Sequence, residues 1–303
     1  MTEIVQESIF IADGGHELHL RHVFPKHQND AQGQGEPVFM IHGAIENGKI
    51  FYSHKGKGLA CFLASQGFDV YVADLRGRGD CKPRIAPFDE YGQTETICHD
   101  LPLMLNKVKS LNPKPVHVMA HSWGGVLASS MFIRFPELLD NVRSQVFFGT
   151  KRRVGAFNLE VLIKIKFMWR TLGPYLTKKH GFLKAKKMGF GSDDETIKSH
   201  QQGMRWTKSH DWVDSDDGFD YKKMSEGINW PPTWFIAAVK DKALGHPEDV
   251  KRFMIEANYK QANYSLLGIK SGNARDYDHI SMLTEPACLD DHFTHLVIWL
   301  NNL

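Results

Sequence analysis

"VHVMAHSWGGVLASSMF", residues 116–132, changes its periodicity halfway along. The first part, Val116 to His121, is apolar and rich in β-branched residues, as a strand covered on both faces requires; from Gly125 the apolar residues recur at helical spacing. Ser122 stands at the joint, between Ala120 and Gly124. A strand that turns sharply into a helix with a serine at the turn is the nucleophile elbow G-x-S-x-G, written here Ala120-His121-Ser122-Trp123-Gly124. The small residues two before and two after the serine have a physical role. The serine backbone is strained, and larger side chains there would collide with the neighbouring strand and helix. Ala120 in place of glycine adds only a methyl group. An ordinary strand–helix turn with a capping serine shares part of this pattern, so the rest of the chain has to decide.

Outward from the elbow the chain alternates. "SIFIADG" and "ELHLRHVFP" read as an opening antiparallel hairpin across Asp13-Gly14-Gly15, followed by the polar loop "QNDAQGQGEP". Short apolar runs then recur at 38–42, 69–74, 116–121, 144–149, 233–239 and 264–269, with helix candidates at 58–66, 96–110, 125–135, 247–257 and 286–300. Such alternation predicts an α/β fold: a mostly parallel central sheet of about eight strands, helices on both faces and right-handed crossovers. One gap breaks the rhythm, because the residues between "SQVFFG" and "TWFIAAV" contain no convincing strand. The expected organisation is a core of 1–149 and 231–303 interrupted by a helical cap over 150–230. An insertion that leaves the C-terminal edge of the sheet is placed to cover a site there. Within it, residues 151–190 hold eleven Lys/Arg against the single acid Glu160.

Bulk properties set bounds. The 303 residues suffice for a large core, and a net charge of +2, from 37 Lys+Arg and 35 Asp+Glu, does not mark a general nucleic-acid or membrane binder. Cys61, Cys81, Cys98 and Cys288 show no metal-ligand spacing. The N-terminus lacks a basic-then-apolar leader, and no run approaches the roughly 18 apolar residues of a spanning helix. A soluble cytoplasmic protein with reduced thiols is expected, without a nucleic-acid partner.

A nucleophilic serine needs a base, and the base an orienting carboxylate, in the chain order serine, acid, histidine. Asp241 follows the strand "TWFIAAV" by two residues, and His279 lies in the loop after "YSLLGI". Asp249 falls in the first turn of the helix after Pro247, as the next acid to consider, whereas Asp276 and Asp278 sit too near His279 for a separate acid loop. His292 and His295 are spaced i, i+3 but have no third ligand, so no metal site is expected. An oxyanion hole requires two N–H groups, expected from Trp123 and from Ala44 in "MIHGA", where Gly43 lets the backbone approach closely.

At this point the chain resembles the α/β-hydrolase superfamily. "MIHGA", "YVADLRGRG", "AHSWGGV", "AAVKDKALGHPEDV", "YDHISML" and "FTHLVIWLNNL" occur in that family's order. "GLACFLASQGFDVYVADLRGRG" is similar to acid-lipase-like and polyhydroxyalkanoate-synthase-like members, although the synthases use a cysteine where this chain has Ser122. The resemblance implies Ser122 as nucleophile, His279 as base, Asp241 as acid and residues 150–230 as cap, acting without a cofactor. The expected activity is carboxylic-ester hydrolysis on a small or lipid-like substrate with an apolar acyl group, with thioester or amide cleavage as variants on the same triad. His42, Gly43, His121, Phe167 and Trp169 are the expected pocket residues. The apolar and basic residues of the cap also suit transient contact with a membrane surface.

Two readings from other classes compete. "GAIENGK", Gly43 to Lys49, fits G-x-x-x-x-G-K of a P-loop, but Ile50 stands where Ser or Thr would hold Mg²⁺. A hydrolase-fold binding protein without turnover is the other. The tripeptide Arg78-Gly79-Asp80 reads more simply as a turn after a strand than as an adhesion motif.

Overall fold

A computed structural model describes residues 2–26 and 35–303. Most of the polar run after the hairpin lies outside the described residues. Strands β1 (Ile4–Asp13) and β2 (His16–Pro25) pair antiparallel, with Asp13 opposite His16 across the two glycines. The next four are β3 (Pro37–Ile41), β4 (Asp69–Asp74), β5 (Val116–His121) and β6 (Val142–Phe148). A two-residue pair, β7 (Phe182–Leu183) and β8 (Glu195–Thr196), precedes β9 (Thr233–Ala238) and β10 (Asn263–Leu267). The main sheet has eight strands in the order β1-β2-β4-β3-β5-β6-β9-β10. β2 meets β4 antiparallel, and every pairing from β4 to β10 is parallel.

Alternation along each strand sends side chains into two separate apolar layers. Phe39, Ile41, Val118 and Ala120 pack with the helices Leu101–Leu111 and Trp123–Arg134, whereas Val38, Met40 and Met119 pack with the helices Leu59–Ser65 and His292–Asn301. Both faces being covered, β3, β4 and β5 are buried along their whole length, which is why they read as continuous apolar runs.

Two expectations are corrected. The last helix, expected over 286–300, is broken into a 3-10 turn at Pro286–Cys288 and a helix at His292–Asn301. The reason is Asp291: its carboxylate accepts hydrogen bonds from Asn273 Nδ2, the Ala274 N–H and the Tyr277 hydroxyl, and its backbone is non-helical. The break thereby anchors the loop that carries His279. The long insertion between β6 and β9 is mainly helical but contains the antiparallel ribbon β7–β8. Its leading helix, Val161–Leu172, is π-helical, and it continues into Gly173–His180. The helices Ile197–Lys208 and Tyr221–Ser225 complete the insertion.

Candidate active site

The turn after β5 has the geometry its sequence demands. Ser122 has φ 53° and ψ −122°, a conformation that side-chain-bearing residues rarely adopt. It is held by the Ser122 N–H, which donates to the Phe148 carbonyl at 2.7 Å. A Cβ at Gly124 would stand 2.5 Å from the carbonyl oxygens of Ile41 and His42, and one at Gly43 would stand 2.9 Å from Ser122 Cβ. Both positions therefore need glycine for the β3 loop to lie against the elbow.

The loops after β9 and β10 bring Asp241 and His279 together. Lys240 N–H donates to the Tyr277 carbonyl at 2.8 Å, tying one loop to the other. His279 Nδ1 donates to Asp241 Oδ2 at 2.5 Å, and Leu244 N–H donates to Asp241 Oδ1 at 2.9 Å. Burial works to raise the Asp241 carboxyl, but the facing His279 and its hydrogen bond outweigh that and hold the group at about 2. An ionised Asp241 fixes the tautomer with the proton on Nδ1, which leaves Nε2 as the basic nitrogen. The Ser122 hydroxyl makes no hydrogen bond to His279 here; such contacts commonly tighten only when substrate is bound.

The competing acids are otherwise engaged. Asp249 accepts from the N–H groups of Gly155 and Ala156 and pairs with Arg252. Asp276 accepts from Ile269 N–H, and Asp278 caps the turn at Ile280 and Ser281.

A second buried pair lies behind the first. His121 Nε2 faces the His279 carbonyl oxygen at 2.9 Å, and that oxygen only accepts, so Nε2 carries a proton. Nδ1 faces Glu46 Oε2 at 2.9 Å, and the same oxygen accepts the Gly43 N–H at 2.9 Å. Both imidazole nitrogens are satisfied when His121 is the cation and Glu46 the anion. The electrostatics agree: burial opposes both charges, yet Glu46 raises the His121 imidazole and His121 lowers the Glu46 carboxyl. The His121 and His279 rings lie 4.5 Å apart.

Ser122, His279, Ala44 and Trp123 all line one cavity of about 570 Å³. Trp123 opens its helix, so its N–H has no intrahelical acceptor, and among the described residues the Ala44 N–H makes no hydrogen bond either. Those two amides are thus free to meet an oxyanion. The insertion contributes Ile165, Met168, Trp169 and Phe190 to the cavity lining. Of the expected pocket residues only Trp169 lines it. His42 accepts the Leu75 N–H at 3.0 Å through Nε2, His121 and Gly43 are spent on Glu46, and Phe167 is 59% exposed on the outer side of its helix. Ile165, Met168 and Trp169 share one face of that helix at i, i+3 and i+4, and Phe167, two residues after Ile165, falls on the opposite one. Sequence reasoning also passed over Glu46, whose role depends on a histidine 75 positions away, and over Lys151, one cation in a basic run.

The remaining motifs find structural roles. In the P-loop lookalike, Gly43 N–H donates to Glu46 and Gly48 N–H to Asp74 Oδ1 at 2.7 Å, so amides that a phosphate would need already serve carboxylates. Arg78 is buried against Glu195, and Gly79 N–H donates to Asp193 Oδ2 at 2.8 Å, which makes the adhesion-like tripeptide a seam between core and insertion. His292 Nε2 donates to the Met282 carbonyl. Among the described residues, two groups have ligand-type atoms close enough to share a cation, Glu46–His121–His279 and His19–Asp74–Asp80. Glu46, His121 and His279 are already committed to the pairings above, and His19 is bonded to Asp74 at 2.7 Å.

Comparison with known proteins agrees with this topology. A family profile described as the alpha/beta hydrolase fold matches residues 36–160, the segment from β3 through the elbow and past β6. The chain has the α/β-hydrolase fold. It is 30% identical over 121 residues to triacylglycerol lipase 2 of Arabidopsis thaliana, covering 37% of this chain and 28% of that protein. It is 29% identical over 110 residues to a pimeloyl-[acyl-carrier protein] methyl ester esterase of Aeromonas hydrophila, covering 36% of this chain and 37% of that one. These matches span well under half the length of either relative. Among solved structures, a soluble variant of monoglyceride lipase from Saccharomyces cerevisiae superposes with a TM-score of 0.65 at 16% identity, over 98% of this chain and 96% of that one.

Proposed function

We propose that this protein hydrolyses a carboxylic ester with an apolar acyl group through an acyl-enzyme. Ser122 attacks the acyl carbonyl, His279 Nε2 takes its proton and returns it to the leaving alcohol, and Asp241 holds the imidazole and stabilises its charged form. The Ala44 and Trp123 amides receive the oxyanion, and a water then cleaves the acyl-enzyme by the reverse proton path. The residues draw on no cofactor. The observation that carries the reading is the strained Ser122 on the same cavity as a His279 oriented by an ionised Asp241. The names of the two curated relatives, a lipase and a methyl ester esterase, point the same way.

The apolar cavity walls supplied by Ile165, Met168, Trp169 and Phe190 support an apolar acyl group and support residues 150–230 as a cap over the site. Thioester and amide cleavage would use the same atoms; an amide asks more of His279 as general acid, a thioester less, and the ester is favoured by the names of the curated relatives. The deciding experiment is a p-nitrophenyl ester series of increasing chain length, with Ser122→Ala as control. Turnover that is abolished in the variant supports the proposal, and a variant as active as the parent refutes it.

Outward-facing side chains of the same cap support transient contact with a lipid surface. Phe157, Leu159, Ile163 and Phe167 are exposed close to Lys164 and Lys166, and the Lys166 ammonium lies 5.0 Å from the centre of the Phe157 ring. Among the described residues no helix is long and apolar enough to cross a membrane.

A further inference from the structure

Lys151 is an anomaly in the cavity. It follows β6 by three residues, is 6% exposed, and lines the same space as Ser122 and His279. Among the described residues its ammonium makes no hydrogen bond and no ion pair; the carboxylates of Asp249 and Asp241 act on it only through space. Those two are already occupied, Asp249 by Arg252 and two backbone amides and Asp241 by His279 and Leu244. The two acids that line the cavity are likewise neutralised, Glu46 by His121 and Glu195 by Arg78. Rim cations do not share the situation: Lys49 is exposed, and Lys164 pairs with Glu160 at 2.7 Å. Among the described residues, Lys151 therefore brings to the cavity a buried positive charge without a partner, set among apolar side chains.

A buried, unpaired ammonium is costly, and burial accordingly pushes Lys151 down to about 8. A core position with no task would carry an apolar residue of similar size at lower cost. Gly149, two residues earlier, lies against the catalytic side, since a Cβ there would stand 2.9 Å from His279 Nδ1. The Lys151 ammonium feels the Asp249 and Asp241 carboxylates through space, which puts it on the His279–Asp241 side of the cavity it lines. A single charge on one side chain matches a monoanion such as a carboxylate.

We infer that the substrate is an ester bearing a second, anionic group, a carboxylate remote from the scissile bond, and that Lys151 binds that carboxylate. The inference rests on the ester-hydrolase reading above and narrows its substrate class. The carboxylate completes the hydrogen bonds the ammonium lacks, while the apolar walls hold the methylene chain between the two ends.

The test compares matched pairs. p-Nitrophenyl esters of α,ω-dicarboxylic acids, one end free, are set against neutral alkanoates of equal length. In a second arm, butyrate esters of ω-hydroxyalkanoic acids are set against those of plain alcohols, which locates the anion on the acyl or the alcohol side. In the unaltered protein the charged ester of at least one length is expected to match or exceed its neutral partner in kcat/KM, and Lys151→Met is expected to lower that charged-to-neutral ratio by about 10–100-fold, mostly through KM. Lys151→Arg should retain part of it. If every charged ester in both arms is at least about tenfold poorer than its neutral partner in the unaltered protein, as an apolar pocket alone dictates, the inference fails while ester hydrolysis stands. If neither charged nor neutral esters turn over, both fail together. The first comparison needs no variant, so a Lys151→Met protein that does not fold leaves the inference exposed to refutation.

Discussion

At the scale of single residues, the two histidine–carboxylate pairs behave differently under pH. The Asp241 carboxyl is depressed to about 2 in the fold, against about 3.9 for an unfolded aspartate, so its contribution to stability is present above about pH 4 and is lost as pH falls through 2. General-base attack by His279 requires a neutral imidazole, so kcat/KM is expected to fall on acidification, and a flat profile from folded protein removes His279 from the role of base. Ser122→Ala, His279→Ala and Asp241→Asn are each expected to lower kcat by roughly 10⁴-fold or more with the thermal transition retained, because the members of the proposed triad would act as a unit.

His121 and Glu46 form a pair with a window. The His121 share is complete below its unfolded value and is lost as pH rises through its raised one, while the Glu46 share is lost as pH falls through its lowered one. Glu46→Gln strands a buried imidazolium and removes the anchor of Gly43. Urea denaturation is expected to show a loss of about 3 kcal/mol at neutral pH; an unchanged midpoint would mean that His121 is neutral. Lys151, if it binds a carboxylate, has the opposite dependence to a carboxyl group. Burial lowers it, Asp249 and Asp241 pull it back, Arg170 pushes with burial, and a bound anion raises it. The KM for a carboxylate-bearing ester is then expected to rise as pH passes about 8, while that of the neutral ester stays level.

At the scale of elements, the π-helix Val161–Leu172 divides its apolar residues between two destinations. Ile165, Met168 and Trp169 face the cavity, and Ile163 and Phe167 face outward. Trp169→Ala is expected to change the preference between long and short acyl esters more than it changes turnover of an acetate ester, since only longer chains reach it. Phe167→Ser is expected to leave that preference unaltered and to diminish any stimulation by anionic vesicles or by substrate above its solubility limit. Equal losses on all esters in both variants would instead mark the helix as packing whose loss acts through stability.

At the scale of the whole molecule, the parallel sheet delivers the site residues to one edge: the loops after β3, β5, β6, β9 and β10 carry Ala44, Ser122, Lys151, Asp241 and His279. The insertion is tied to the loops after β3 and β4 by Asp193, whose buried carboxylate accepts from Asn47 Nδ2 at 3.2 Å and Gly79 N–H at 2.8 Å and pairs with Arg84. Asp193→Ala leaves those donors unmatched, at about 2–4 kcal/mol. Limited proteolysis is expected to nick that variant first between 150 and 230, with the core fragments intact; protection equal to the parent would show that the fastening lies elsewhere.

The sequence by itself determined the central strands, the elbow at Ser122 and the positions of Asp241 and His279 at strand ends. Those features follow from local periodicity and from the chain order that a parallel sheet imposes, and each is written within a few residues. Other features depended on partners far along the chain. Asp291 breaks the last helix because of the loop at 273–277, and His121 is a cation because of Glu46 and the His279 carbonyl. Of eleven basic residues over 151–190, the fold directs Lys151 into the cavity without a partner and gives Arg152 to Glu256. Burial and pairing are properties of the packed chain, set by contacts that no local pattern encodes, so the charge of the cavity was decided only by the tertiary structure.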